Sequence, residues 1–374
     1  MRVRLVPFGR SVTVSALTLS GMTLATLAVT STVGVAGSSI SPVSLSATAL
    51  RPHSGVKVPG WGFDWPGGVA SDGTHVWVAN SWGNSVTELS ASSGALVRVI
   101  IGASYRFDNP IAVTSDRAHV WVANSDGNSV TELSASTGAL VKVIRGPSYG
   151  FDDPVAVTSD RTHVWVANWG GSSITELSAS SGTLVKVIHG PNYGCYEPTA
   201  VASDGTHVWV ASWGGSSVTE LSASSGALVR VIRSQSYEFS FPRGVASDGT
   251  HVWVANEGGS SVTELSASSG ALVKVIRGPS YGFDSPVAVA RGGTHVWVAN
   301  QGGVSVTELS ASSGALVKVI RNSNYGFYYP VAFGFPQGIA SDGTHVWVPN
   351  SEYEELTELS ASSGALVEVI LSSN

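Results

Sequence analysis

Apolar positions along this chain follow neither a helical period nor a strict alternation. Runs such as Val120-Trp121-Val122-Ala123 place apolar side chains on both faces of a short extended segment. This predicts strands that are covered on both sides. The segment around that run carries the whole pattern: Pro110 to Asp116 (PIAVTSD), Ala118 to Asn124 (AHVWVAN), Ser129 to Ala135 (SVTELSA) and Ala139 to Gly146 (ALVKVIRG). Asp-Gly or Asp-Arg, Asn-x-x-Gly, and Ser-Ser-Gly or Ser-Thr-Gly separate such runs, and these turn chemistries suit antiparallel neighbours. Each unit therefore predicts a four-stranded meander.

The unit recurs. THVWVAN at Thr74 to Asn80 returns almost unchanged, with tryptophans at Trp77, Trp121, Trp165, Trp209, Trp253, Trp297 and Trp347. The first six are spaced by 44 residues, and the last step is longer by the extra residues around Val331 to Phe335. A repeat of this length with four strands is the mark of a propeller blade, whose neighbours cover both of its faces. The predicted fold class is all-β: a seven-bladed β-propeller with four antiparallel strands per blade. An open solenoid is the alternative. Unit seven has its own fourth strand, Ala365 to Ile370, so the ring is expected to close by direct packing without strand exchange. Ser54 to Pro66 echoes Thr137 to Pro154 with a deletion, and this suggests a relic of an earlier unit covering an outer edge.

Composition narrows the function. With 43% hydrophobic and 12% charged residues the chain is neither disordered nor heavily solvated. A net charge of −6 without a basic cluster gives no footprint for nucleic acid. Cys195 is the lone cysteine, so an intrachain disulfide or a thiol-held metal is excluded. Arg2, Arg4 and Arg10 precede an apolar, Ser/Thr-rich run from Ser11 to Ala36. Residues 1–36 read as a secretory signal peptide, or alternatively an uncleaved anchor, and 37–60 as a disordered lead-in to a propeller over 61–374. A secreted or cell-surface monomer is expected, touching membrane only through a retained N-terminal segment.

From Trp61 to Asn374 the units resemble the bacterial YVTN, NHL and streptogramin-lyase-like propellers, which also pair a Pro-x-Ala/Gly-Val strand with a Val-Trp/Tyr-Val-Ala-Asn strand. The resemblance implies a seven-bladed ring and little about function, because that group contains binding modules, scaffolds and a minority of enzymes. The streptogramin lyases among them use a metal with His and Glu from different blades.

Candidate chemistry divides into repeated and varied positions. His75, His119, His163, His207, His251, His295 and His345 form one column, and Glu88, Glu132, Glu176, Glu220, Glu264, Glu308 and Glu358 another. Arg98, Lys142, Lys186, Arg230, Lys274 and Lys318 stand across a turn from the glutamates, with Glu368 breaking the series. A residue present in every unit answers a structural demand, and the charges read as exposed cross-strand pairs of about 0.2–1 kcal/mol each. His53 and His189 stand apart without acids at metal-ligand spacing.

In a meander whose first strand is innermost, the turn after strand two and the link to the next blade emerge on one face. That face varies, whereas the opposite face, formed by the Ser-Asp-Gly-Thr and Ser-Ala-Ser-Ser-Gly turns, barely does. The varied turns hold Ser81, Ser125, Trp169, Trp213, Glu257, Gln301 and Ser351, followed by Trp82, Asp126 and Glu352 at the next position in their units. The links share Tyr-x-Phe and vary at Arg106, Asp108, Asp152, Asp153, Tyr196, Glu197, Glu238, Phe241, Asp284, Tyr328 and Tyr329. Flat aromatic surface mixed with acids and amides suits stacking and hydrogen bonding of a sugar or peptide. The predicted ligand-binding set is Trp82, Trp169, Trp213, Glu257, Gln301, Asp152, Tyr196, Glu197 and Glu238. Drift on an unused surface is the competing explanation, and Asp152-Asp153 is a weak calcium candidate. No GxSxG, HExxH or phosphate-cradling loop appears, and neither a cofactor nor a metal is expected. The functional expectation is a non-catalytic binding scaffold for an extracellular glycan, peptide or protein. The alternatives are a purely structural envelope component and a metal-dependent lyase or hydrolase of the streptogramin-lyase type, with Glu197, Glu238 and Glu257 as acid or base.

Overall fold

The computed structural model describes residues 61–322 and 332–372. The signal peptide and lead-in readings, and Tyr328 and Tyr329, lie outside the described residues. Seven four-stranded antiparallel sheets follow one another, each using consecutive strands in the order one-two-three-four. Blade one consists of Pro66–Ser71, His75–Asn80, Ser85–Ser90 and Leu96–Ile101. Blade seven has a first strand of only two residues, Ala340–Ser341, followed by His345–Asn350, Glu355–Ser360 and Leu366–Leu371.

The sheets are held together by their neighbours. In the cluster between blades one and two, Trp77, Ala79, Val86 and Ile100 pack against Val113, Val120, Val122 and Leu133. The tryptophan of one blade thus lies on the valine face of the next, and the same exchange recurs from blade to blade. It also closes the ring: Trp347, Leu356 and Ile370 of blade seven meet Val76, Val78 and Leu89 of blade one. Closure needs no exchanged strand. First strands ring the axis, and their second or third positions are small for that reason. A Cβ on Gly68 would stand 2.6 Å from the Ile111 carbonyl oxygen, and one on Gly338 2.6 Å from that of Gly67.

The link residues Trp61 and Phe63 take the places held elsewhere by Tyr105 and Phe107. Thr87 Oγ1 donates to the Trp61 carbonyl at 2.7 Å as Thr131 Oγ1 donates to that of Tyr105 at 2.9 Å. Phe63 is buried in the closing cluster. The described part of the N-terminal echo is therefore the link into blade one, not a remnant of a further unit. Cys195 occupies the phenylalanine place in its link, and burial pushes its thiol up to about 11, so it acts as packing.

The charge columns need a correction, because the glutamates are buried rather than exposed. Trp77, Glu88 and Arg98 stand side by side across blade one. Arg98 Nε lies 2.8 Å from Glu88 Oε2, and His75 Nε2 lies 3.6 Å from Oε1. The histidine column keeps its structural reading: the His–Glu separations in all seven blades fall between 3.4 and 3.8 Å. Lys142, Lys186, Lys274 and Lys318 also donate to the carbonyls of Ser181, Ser225, Ser313 and Ser363 in the following blade. The cation is thus a clamp between blades, and it satisfies a carboxylate that burial alone would disfavour.

Blade seven lacks this clamp where the ring closes. Glu368 pairs across the strands with Glu358, whose carboxyl is pushed up to about 7 by burial and by the negative charges of Glu368 and Asp342. Glu355, where the other blades have serine, is fully buried, has no hydrogen-bond partner among the described residues and is pushed up to about 8, mainly by burial. Both acids hold a proton more tightly folded than unfolded. Their contribution to stability is therefore complete at low pH and is lost as pH rises from the ordinary value of 4.5 through about 7 to 8. Glu368→Lys should raise Tm by roughly 2–4 °C at about pH 8.5, equivalent to about 1 kcal/mol, with little gain near about pH 5. Glu355→Gln should flatten the fall in Tm between about pH 6 and about pH 9. Thermal melts by circular dichroism across that range check both, and parallel pH profiles for parent and variants would contradict them.

Candidate functional site

In six blades the first strand begins at a proline, and in blade seven Pro336 makes the equivalent bridge to Asn350 ahead of the strand; the residue before each proline is left-handed: Trp65, Asn109, Asp153, Glu197, Phe241, Ser285 and Phe335 have φ between 49° and 59°. Seven non-glycine residues in this conformation are unusual, and each costs about 1–2 kcal/mol relative to a right-handed backbone. The backbone holds them by one repeated bond. The carbonyl at each position accepts from the residue that begins the turn after strand two: Ser81 N to Trp65 O at 3.2 Å, Trp169 N to Asp153 O at 2.8 Å, Trp213 N to Glu197 O at 3.0 Å and Glu257 N to Phe241 O at 3.1 Å. The two most varied columns of the sequence are thereby brought together as seven adjacent pairs on one face of the disc.

These pairs surround an axial cavity of about 530 Å³, lined by the first strands of all seven blades together with Trp65, Ser81, Asp153, Trp169, Arg243 and Gln337. Aromatic rings flank it in two groups. Trp65 and Trp82 stack with centroids 4.4 Å apart and an interplanar angle of 12°, and Trp82 is 67% exposed. Trp213 stacks on Phe241 at 4.4 Å and meets Trp169 at 5.6 Å with a tilt of 48°. Polar groups complete the rim. Arg243 Nη1 lies 3.2 Å from Glu257 Oε2, the Gln301 amide donates to Gln337 Oε1 at 3.0 Å, and Ser125 Oγ donates to Asp153 Oδ1. Among the described residues, neither His nor Lys lines the cavity.

The nine sequence-derived residues separate into an axial and an outer group. Trp169 lines the cavity, while Trp82, Trp213, Glu257 and Gln301 each touch a residue that lines it or contact Trp169. Glu197 belongs to the left-handed column, where its carboxylate packs over Gly214. Asp152 and Tyr196 line an outer groove with His189 and Cys195, and Glu238 lines another, paired with Arg277 Nη1 at 2.6 Å. Asp152 and Asp153 therefore face different cavities and do not converge on a cation. Among the described residues no group of three or more His, Cys, Asp or Glu could hold a metal ion. Sequence reading missed Trp65, Arg243 and Gln337. Aligning the units on the first-strand proline exposes Trp65 as the member of the most varied column, next to Pro66.

Comparison with known proteins bears on the fold. No family model matches this chain, and no curated protein matches it. Among solved structures, a catalytically inactive histidine-to-alanine variant of virginiamycin B lyase from Staphylococcus aureus, with quinupristin, is similar. It has a TM-score of 0.63 and 18% identity over 77% of this chain and 92% of that one. A streptogramin B lyase has a TM-score of 0.63 and 17% identity over 79% and 93%. Kuenenia stuttgartiensis hydrazine synthase has a TM-score of 0.63 and 20% identity over 83% and 99%. These likenesses establish the seven-bladed propeller. They do not confirm the narrower YVTN or NHL resemblance.

The seven repeat tryptophans are buried, whereas Trp82 is open. Acrylamide should therefore quench only a minority of the intrinsic fluorescence, and Trp82→Ala should remove the most accessible component with a Tm change under about 2 °C. An unchanged quenching curve would place Trp82 elsewhere.

Proposed function

We propose that this protein is a non-catalytic binding propeller whose ligand seats over the axial cavity of the varied face, between the Trp65–Trp82 and Trp169–Trp213–Phe241 ring groups. The observation that carries this reading is the left-handed column. Trp, Asp, Glu and Phe are held in a disfavoured conformation at the mouth of one cavity, although the backbone there would accept glycine. The exposed indole of Trp82 and the half-buried rings of Trp65, Trp169 and Trp213, beside amides, a guanidinium and a carboxylate, fit a ligand with flat apolar faces and polar edges, which describes a pyranose of a glycan. The apolar N-terminal run supports an extracellular setting, where such glycans are displayed.

The lyase reading draws on the fold likeness alone. Against it, a virginiamycin B lyase with one histidine replaced by alanine is catalytically inactive, and among the described residues here no histidine borders the axial cavity. Two of the proposed acids, Glu257 and Glu238, are engaged by Arg243 and Arg277.

A glycan array probed with the purified protein and with Trp65→Ala/Trp82→Ala and Trp169→Ala variants tests the proposal. Capture by the parent should fall at least about tenfold in both variants while Tm stays within about 2 °C. Capture that is absent, or indifferent to these changes, rejects it. Peptide capture with the same sensitivity would keep the seat and change the ligand class, and consumption of virginiamycin B would establish the lyase instead.

A further inference from the structure

The turn after each first strand rings the other end of the axis, opposite the cavity described above. In blades one, four, five and seven its left-handed residue is Gly73, Gly205, Gly249 or Gly343, at φ between 81° and 88°. Blades two and three place Arg117 (φ 76°) and Arg161 (φ 74°) there. Arginine has no special tolerance for this conformation, unlike Asn or Asp. In blade six, Arg291-Gly292-Gly293 stands where the others have Ser-Asp-Gly or its equivalent, so a cation is gained and an acid is lost. The face expected to be uniform thus varies at three points, and all three add an exposed arginine.

These arginines line one cavity of about 400 Å³ at the axis, together with Ser71, Ser115, Ser159 and Ser341. Two of them are not held in direct ion pairs. Arg291 Nε is 3.7 Å from Asp248 Oδ2, and no salt bridge to Arg117 or Arg161 occurs among the described residues. Asp72, Asp116 and Asp342 also line the cavity, but their carboxylates are engaged within the turns. Asp116 Oδ1 accepts from the backbone N–H groups of Ala118 and His119 at 2.9 and 2.7 Å, and Oδ2 accepts from Trp121 Nε1 at 3.3 Å. Asp72 Oδ1 takes the N–H groups of Thr74 and His75, and its Oδ2 takes the Ser115 hydroxyl. The carboxylates keep their negative charge, but their oxygens are spent on neutral N–H and hydroxyl donors, so the guanidinium forks of Arg117 and Arg161 have no carboxylate seated on them and can take the oxygens of an anion.

We propose that this second axial mouth binds a tetrahedral oxyanion, a phosphate or sulfate group, through Arg117, Arg161 and Arg291. The planar guanidinium fork matches two oxygens of such a group. The same chemistry is offered by the free ion and by a sulfated or phosphorylated larger molecule. The site lies on the face opposite the proposed glycan seat and does not depend on it.

Isothermal titration of the full chain with inorganic phosphate, inorganic sulfate and acetate at low ionic strength tests this. Phosphate and sulfate should bind saturably, one ion per chain and more tightly than acetate. The Arg117→Gly/Arg161→Gly variant should lose at least about tenfold in affinity, while its Tm without added anion equals or exceeds that of the parent, since glycine is the residue other blades use. Arg291→Ser should weaken binding in the same direction. Absent binding in the parent, binding untouched by these variants, or a Tm that falls in the glycine variant would each overturn the proposal. A sulfated oligosaccharide binding at least about tenfold tighter than free sulfate assigns the group to a larger ligand, whereas equal affinity assigns the free ion.

Discussion

A sheet with oil on both faces cannot exist alone in water, and the rest of this molecule depends on that constraint. Each blade sets a tryptophan on one side and a pair of valines on the other. Each therefore needs two neighbours, and a finite stack meets that need for every member only by closing. The Trp347 contact with Val76 and Val78 is where this requirement is met. The buried Glu, His and Trp row is subordinate to it. Once the faces are packed, the carboxylate in the row is dehydrated and must be answered by a cation, and where that cation is lysine it reaches the next blade's carbonyl.

Closure also explains why blade seven departs from the others. Its first strand is short, Glu368 stands where the other blades have a cation, and its third strand begins with a buried Glu355 in place of serine. All three changes sit at the one junction formed by the two ends of the array. At four junctions a lysine adds a clamp to the next blade's carbonyl and at two more an arginine pairs with the buried glutamate, whereas the seventh is left mainly to apolar packing. Local opening is accordingly cheapest there, and cheaper still when Glu358 and Glu355 lose their protons.

The fold was legible because repetition multiplies every signal. Seven copies of Val-Trp-Val fixed strand, face and number at once, and the two-faced division of the loops followed from the meander. What could not be read was depth. Cross-strand spacing placed Glu88 beside Arg98 correctly, yet a pattern of residues does not reveal that the glutamate is dehydrated while its partner is half exposed. The site was legible in part for the same reason. Trp169 stood out as a tryptophan in a turn, whereas Trp65 was hidden in a link with few fixed landmarks, and the difference between Asp152 and Asp153 is a matter of which way adjacent side chains point.

Near-identical repeats supply their own control. Seven positions share one backbone conformation, one set of hydrogen bonds and one distance from the axis, so residues there differ for reasons other than folding. Before the first-strand proline the conformation is left-handed in all seven blades and no blade uses glycine. In the turn at the other end of that strand it is again left-handed, and blades with glycine stand beside blades with arginine. The first column shows side chains accepted everywhere at a conformational cost, and the second shows that cost accepted only where a cation results. Both columns lie at the two mouths of the axis, where first strands end and solvent begins.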